Sequence, residues 1–271
     1  MPELPEVETT RRGIAPAIKA KRVEQVIVRE HRLRWPLSVD FASQLTSQQV
    51  VDVHRRAKYL LLQLDRGTLI VHLGMSGSLR VLPMTTPVVA HDHVDIVFDS
   101  GACLRFNDPR RFGSMHWTTD NPLEHPLLKR LAPEPLGNEF NAEYLAQKSR
   151  RRKVAIKLLL MNSNLVVGVG NIYASEALFR AGIRPTRAAG KVKAAEFVKL
   201  VRAVKGVLHD AIRSGGTTLR DYVNADGMPG YFRQKLFVYE RAGEPCRTCK
   251  KLIKQITQGQ RSTYYCPKCQ A

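Results

Sequence analysis

The chain has 271 residues, 44% of them hydrophobic, enough for two domains with real cores and a small appendage. No run reaches the roughly 18 apolar residues of a membrane span, and the charged N-terminus has no apolar stretch of the kind a signal peptide needs. The net charge of +19, from 43 Lys and Arg against 24 Asp and Glu, exceeds what solubility requires and points to a polyanionic partner, nucleic acid before a membrane surface.

The N-terminus reads Met1-Pro2-Glu3-Leu4-Pro5-Glu6-Val7-Glu8. With Met1 trimmed, Pro2 presents a secondary amine beside a carboxylate. An α-amino group titrates near about 7.7–8.0, against about 10.4 for lysine, so it holds far more neutral nucleophile at pH 7. Its attack on a sugar C1′ gives an iminium that is already cationic and draws electrons. The plainer role of the segment is to open a helix, with Pro5 in the first turn and Glu6 and Glu8 at the favourable end of the dipole. The pattern predicts a short helix over 5–13, ended by Gly13.

From Val23 to Trp117 the pattern is mostly strands. Tyr59–Leu64 and Thr68–Leu73 flank the turn Asp65-Arg66-Gly67, and Val94–Phe98 and Cys103–Asn107 flank 99–102, as hairpins of an antiparallel sandwich. Cys103 sits in such a run as a small buried hydrophobe. Leu131-Ala132-Pro133-Glu134-Pro135-Leu136-Gly137 reads as a linker. Helical periodicity follows over about 141–149, 153–161, 171–180, 194–213 and 217–223. Asp226-Gly227-Met228-Pro229-Gly230 breaks it and reads as a mobile loop. Basic residues cluster at Lys148, Arg150, Arg151, Arg152 and Lys153, and again from Arg233 to the end.

Cys246-Arg247-Thr248-Cys249 and Cys266-Pro267-Lys268-Cys269 stand sixteen residues apart, the spacing of a four-cysteine zinc ribbon. With every ligand position filled by protein, the metal is structural. Disulfides are the competing use of the four thiols, and a reducing cytoplasm disfavours them. Between the pairs lies a basic hairpin suited to a phosphate backbone. At Asn162–Glu176, glycines permit close backbone approach and Asn171 opens a helix aimed to accept a phosphate; a simple N-cap between packed helices is the alternative.

Six segments carry a resemblance to the formamidopyrimidine-DNA glycosylases. They are 2–8; Arg55-Arg56-Ala57-Lys58-Tyr59-Leu60; His72-Leu73-Gly74-Met75-Ser76-Gly77; Asp108-Pro109-Arg110-Arg111-Phe112-Gly113; Val169-Gly170-Asn171-Ile172-Tyr173-Ala174-Ser175-Glu176; and the four-cysteine finger. They run in the family's order from residue 2 to residue 269. Taken singly, Met75 and Phe112 are ordinary core types, Arg110 an ordinary surface charge and Lys58 an ordinary strand end.

The resemblance implies an α+β, multidomain fold. It comprises an N-terminal antiparallel β-sandwich over 1–131, a helix–two-turn–helix domain over 132–234 with a lesion-capping loop, and a zinc finger over 235–271, with DNA in the cleft between domains. It implies Pro2 as nucleophile and Glu3 as proton donor. Lys58, Asn171 and Arg261 would clamp phosphates, with Lys157 a further cationic contact near the lesion. Met75, Arg110 and Phe112 would fill the hole left by the extruded base, whose flipping costs a few kcal/mol of stacking. His91, in His91-Asp92-His93, looks like part of a metal pair but fits the family better as a loop contact to DNA phosphate.

The activity so implied is removal of oxidised purines from duplex DNA, followed by β,δ-elimination at the abasic site. One structural zinc, no redox or nucleotide cofactor, a monomer, and a cytoplasmic, nucleoid-associated bacterial location are expected. An endonuclease VIII-like enzyme for oxidised pyrimidines is the rival within the class, and a non-catalytic zinc-ribbon nucleic-acid binder the rival outside it.

Overall fold

The computed structural model describes residues 2–217 and 231–271. The expected helix at 217–223, Thr217 apart, and the expected loop at 226–230 lie outside the described residues. Contacts group the chain into two compact units. One holds Met1–Lys129 with Ile212–Arg233, the other Arg130–Ala211 with Gln234–Ala271.

In the first unit, α1 (Leu4–Ile18) opens with a capping box in which Glu3 and Glu6 satisfy each other's backbone N–H. The helix does not stop at Gly13, as the sequence predicts, and it also contains Pro16. A helical glycine costs about 1 kcal/mol and an interior proline about 3. Ile14 and Ile18, both fully buried with Val7, offset this, because each buried aliphatic side chain is worth about 1.5–3 kcal/mol.

After α1 come β1 (Val23–Val28), α2 (Phe41–Leu45), β2 (Val50–Arg56), β3 (Tyr59–Leu64), β4 (Gly67–His72), β5 (Ser78–Pro83), β6 (Asp92–Phe98), β7 (Ala102–Asn107) and β8 (Ser114–Thr118). They form two antiparallel four-stranded sheets, ordered β1-β6-β7-β5 and β2-β3-β4-β8. One apolar cluster draws on α1 and both sheets, with Val53, Leu60 and Val71 from one and Phe98, Leu104 and Phe106 from the other. Cys103 is buried on the other face of β7, near Asp95, and burial pushes its thiol up to about 11. The loops bearing Lys58, Met75, Arg110 and Phe112 leave the strand ends at 57–58, 73–77 and 108–113.

The second unit contains α3 (Ala142–Ser149), α4 (Ile156–Leu160), α5 (Asn171–Ala181) and most of α6 (Ala194–Arg213). α4 is shorter than its periodicity predicts, because Ala155 is drawn into an extended bridge with Ala188. α5 ends at Gly182, whose φ of +72° suits a residue without Cβ. The hairpin β9 (Lys254–Gln258) and β10 (Arg261–Tyr265) turns through Gly259 and Gln260, both at positive φ, as a two-residue hairpin turn demands.

Candidate functional site

Pro2 is buried, and Glu3 is 3% exposed at the N-cap of α1. Glu6 lies beneath them. Its Oε2 accepts the Glu3 N–H at 2.7 Å and its Oε1 accepts the Thr217 N–H at 2.8 Å. A single buried carboxylate thus fixes the backbone of residue 3 and the start of the segment after α6. Sequence reasoning treated Glu6 only as a helix former; the signal missed was the reciprocal Glu3–Glu6 spacing.

Lys58 follows Ala57, which takes φ +54° in the turn from β2 to β3, and Arg55 Nη1 donates to the Ala57 carbonyl at 2.9 Å. His72 faces the Lys58 charge from the end of β4. Burial, then Lys58, then Arg34 push its pKa down to about 4, so the ring is neutral and its Nδ1 accepts the Gly74 N–H at 3.0 Å.

Met75 and Phe112 are 38% and 42% exposed, well above core residues, and the Arg110 guanidinium lies 4.8 Å over the Phe112 ring. Their loops touch at backbone level. A Cβ on Gly74, itself at φ +65°, would come within 2.4 Å of Gly113 N and Phe112 C. Only glycine allows that approach. A pocket of about 560 Å³ opens beside the two loops, lined by Arg34, His72, Met75, Arg111 and Phe112.

Asp108, fully buried, organises this edge. Its Oδ1 accepts from Ser76 Oγ at 2.7 Å and from Arg110 N at 3.3 Å, and its Oδ2 from Gly113 N at 2.8 Å. Its own N–H donates to the His91 carbonyl at 3.1 Å, and its carbonyl pairs with His93 Nε2 at 2.8 Å. Met75, His91, Arg110 and Phe112 therefore belong to one tied set of loops. His91 is exposed at φ +71°. The resemblance gives Asp108 no role, although an acid opening a Pro-Arg-Arg turn is a visible cue.

In the second unit Asn171 begins α5. Its Nδ2 donates to the Ser262 carbonyl at 3.0 Å and to Tyr239 Oη at 3.3 Å. Lys157 departs from expectation. It is fully buried, and its ammonium donates to Asn171 Oδ1 at 2.5 Å, Thr263 Oγ1 at 2.6 Å and the Ser262 carbonyl at 3.1 Å. It sits behind Asn171 as a support rather than presenting its charge to a ligand. The reason is that a buried ammonium needs acceptors, and the hairpin supplies them. Arg261, adjacent to Ser262, is exposed and its guanidinium forms no ion pair among the described residues.

Glu176, also fully buried, accepts the N–H groups of Phe237, Val238 and Tyr239, each at 2.9 Å. Burial raises its pKa against the pull of those donors. The contacts hold the segment leading to the finger against α5.

The sulfurs of Cys246, Cys249, Cys266 and Cys269 lie within 4.8 Å of one another, and none is in a disulfide. Four thiolates at about 2.3 Å from one zinc stand roughly 3.8 Å apart. The observed 3.9 Å for Cys246–Cys269 and 3.4 Å for Cys249–Cys266 fit that tetrahedron and exceed the roughly 2.05 Å of a disulfide. Among the described residues this is the only such group, so the His91-Asp92-His93 run has no third ligand.

Three family models match in order: the formamidopyrimidine-DNA glycosylase N-terminal domain over residues 1–115, the formamidopyrimidine-DNA glycosylase H2TH domain over 131–223, and a zinc finger found in FPG and IleRS over 243–271. The chain is 58% identical to the formamidopyrimidine-DNA glycosylase of Thioalkalivibrio sulfidiphilus and 56% identical to that of Pseudomonas aeruginosa, over 270 residues and 100% of each chain. Among solved structures, that of the Thermus thermophilus FPG protein shares 37% identity with a TM-score of 0.87, over 99% of this chain and 98% of that one. The Lactococcus lactis Fpg in complex with DNA containing an abasic site shares 33% identity with a TM-score of 0.91, over 99% of both chains.

Proposed function

The chain belongs to the formamidopyrimidine-DNA glycosylase family, base-excision repair enzymes that remove oxidised purines and cleave the abasic site, and we propose that Pro2 is its nucleophile and Glu3 its proton donor. The observation that carries the assignment is the buried Pro2-Glu3 pair, held at a helix start by Glu6.

Once Met1 is removed, the Pro2 nitrogen has a lone pair. It attacks C1′ of the damaged nucleotide, the C1′–N bond breaks, and the base leaves with the bonding electrons and the proton that the Pro2 nitrogen sheds on attack. Glu3 delivers a proton to the ring oxygen, which opens the sugar and leaves an iminium between Pro2 and C1′. The iminium acidifies C2′. Loss of that proton expels the 3′ phosphate, and a second elimination expels the 5′ phosphate. Water then hydrolyses the iminium.

Lys58, Asn171 and Arg261 grip the phosphates around the lesion, with Lys157 holding Asn171 in place. His91 meets a phosphate, while Met75, Arg110 and Phe112 occupy the vacated stack. A zinc ion on the four cysteines would fix the fold of the finger and take no part in the chemistry, and no redox or nucleotide cofactor is needed. The enzyme works as a monomer of three modules, 1–131, 132–234 and 235–271, in the bacterial cytoplasm at the nucleoid.

The test is borohydride trapping on an abasic duplex, with mass spectrometry of the cross-linked peptide. The adduct should map to Pro2, and protein retaining Met1 should form none. An adduct on Lys58, or full trapping by Met1-retaining protein, would remove Pro2 from the mechanism.

A further inference from the structure

Beside Arg110 the first unit has a second pocket, of about 340 Å³, bounded by Ser78 and Arg80 of β5, Asn107 of β7, and Ser76 and Arg110 from the tied loops. Two arginines, Arg80 and Arg110, and no acidic residue line it. Across the β5–β7 ladder Arg80 stands directly opposite Arg105, on the same face. Like charges so placed repel unless compensated. Arg105 is compensated: it is 2% exposed, forks onto Asp95 at 2.8 and 2.9 Å, and lies 3.4 Å from Asp92. Arg80 is not. Its guanidinium makes no ion pair among the described residues, and its Nε is buried with no hydrogen-bond partner.

A buried, charged donor without an acceptor is costly, and natural proteins rarely keep one except where a ligand completes it. Asn107 turns its amide nitrogen away from the pocket, to the Ala90 carbonyl at 2.9 Å and to Asp92 Oδ1 at 2.9 Å. The missing partner is an anion, and a guanidinium fork in a pocket free of acids fits the oxygens of a phosphate diester. In the functional reading given above, Arg110 meets the base left without its partner. That base belongs to the strand opposite the lesion, so the backbone running past Arg110 is the undamaged one.

We infer that this pocket is a phosphate subsite for the undamaged strand, with Arg80 as its cation. The inference rests on the placement of Arg110 at the orphaned base. It gives the enzyme a grip on the strand it does not cut.

The experiment is a methylphosphonate scan, which neutralises one phosphate at a time, on a duplex containing an abasic-site analogue. Wild-type protein should lose about tenfold in affinity at one position of the undamaged strand, the effect of one charge-assisted hydrogen bond. Arg80→Gln should bind unmodified duplex about as weakly and show no further loss at that position. Its slope of log affinity against log salt should be shallower by about 0.9. Arg80→Lys keeps the charge and should restore the slope but only part of the affinity. Additive losses at every undamaged-strand position, or coupling to a phosphate of the damaged strand, would overturn the assignment. Melting with inorganic phosphate separates the sources. Stabilisation of wild type but not Arg80→Gln, without coupling in the scan, would make the pocket a free-anion site and also overturn it. Wild-type trapping on an abasic duplex is the control for the underlying reading: if it fails, that reading fails first.

Discussion

Ser76 Oγ donates to Oδ1 of Asp108 at 2.7 Å, and this bond joins the loop bearing Met75 to the loop bearing Arg110 and Phe112. The Asp108 carboxylate receives three donors and offers none. Asp108→Asn turns one acceptor oxygen into an NH₂ facing a backbone N–H, that of Arg110 or that of Gly113. Thermal denaturation should show a loss of about 1–3 kcal/mol, the cost of an unsatisfied buried group. Ser76→Ala should cost about 1 kcal/mol. Beyond stability, a fluorescent base placed opposite the lesion should report slower wedge insertion in Asp108→Asn. Unchanged insertion kinetics would mean the loops are positioned by something else.

Much of this site is legible in the sequence because the cues are local. Each CxxC pair, the Pro2-Glu3 start and the turns at 65–67 and 99–102 reside in a few consecutive residues. α1 beyond Gly13 is not legible that way, since the burial of Ile14 and Ile18 depends on strands far along the chain. Lys157 misleads for the same reason. Its acceptors Ser262 and Thr263 lie more than a hundred residues away in sequence, so nothing near it shows that its charge is already engaged. Glu176 stands inside a recognised motif, yet its partners at 237–239 are invisible until the chain is folded.

Glu3→Gln tests the proton donor without undoing the helix start. A glutamine oxygen can still accept the first-turn N–H, and the Glu3 backbone still donates to Glu6. Excision of 8-oxoguanine under single-turnover conditions should slow by roughly 10²–10⁴-fold, the value of general acid assistance, while affinity for lesion duplex is kept. Cleavage of a preformed abasic site should suffer less, because its sugar already opens. An unchanged excision rate would exclude Glu3 as the acid.

Cys249→Ser, or chelation, should remove DNA affinity before it touches the chemistry. The β9–β10 hairpin carries Arg261 and supplies Ser262 and Thr263 to the Lys157 ammonium, so its loss strands a buried charge and loosens Asn171. Structural zinc contributes its binding free energy to folding. The two sheets of the first unit should persist, as their apolar cluster contains no residue after Trp117. Verified zinc loss with full lesion affinity would contradict this role for the finger.

Stability should depend on pH through His72 and Glu8. The unfolded His72 binds a proton near 6.5, but the folded ring, buried beside Lys58 and Arg34, only near 4. Between those values the unfolded state holds more protons, so stability is complete above about pH 6.5 and falls as the pH drops toward 4. The slope is at most about 1.4 kcal/mol per pH unit. His72→Gln should flatten it. Glu8 acts lower. Burial would raise its pKa, but hydrogen bonds from Arg11 and Arg12 hold it down to about 2, so its contribution is lost between about pH 4.5 and 2. Urea midpoints across pH 4–7 for both proteins make the comparison. Parallel curves would show that His72 takes up its proton at the same pH folded and unfolded.

Arg110 and Phe112 should divide opposite-base choice and base extrusion between them. Arg110 offers donors that suit the O2 and N3 acceptors of cytosine, whereas adenine is a poorer match. Arg110→Ala should therefore narrow the gap between duplexes carrying 8-oxoguanine opposite cytosine and opposite adenine, by about 1–3 kcal/mol. Phe112→Ala removes the exposed ring and should weaken lesion engagement opposite either base. The two side chains are not independent, because the guanidinium rests 4.8 Å above the ring. Removing the ring frees Arg110, so Phe112→Ala should also blunt the preference for cytosine, though less than Arg110→Ala does. The double variant should then fall short of the sum of the single losses. Single-turnover excision by all four proteins on both duplexes supplies the cycle. Undiminished preference for cytosine in Arg110→Ala would show that this residue does not read the opposite base. Strict additivity would show that the stack over Phe112 plays no part in aiming it.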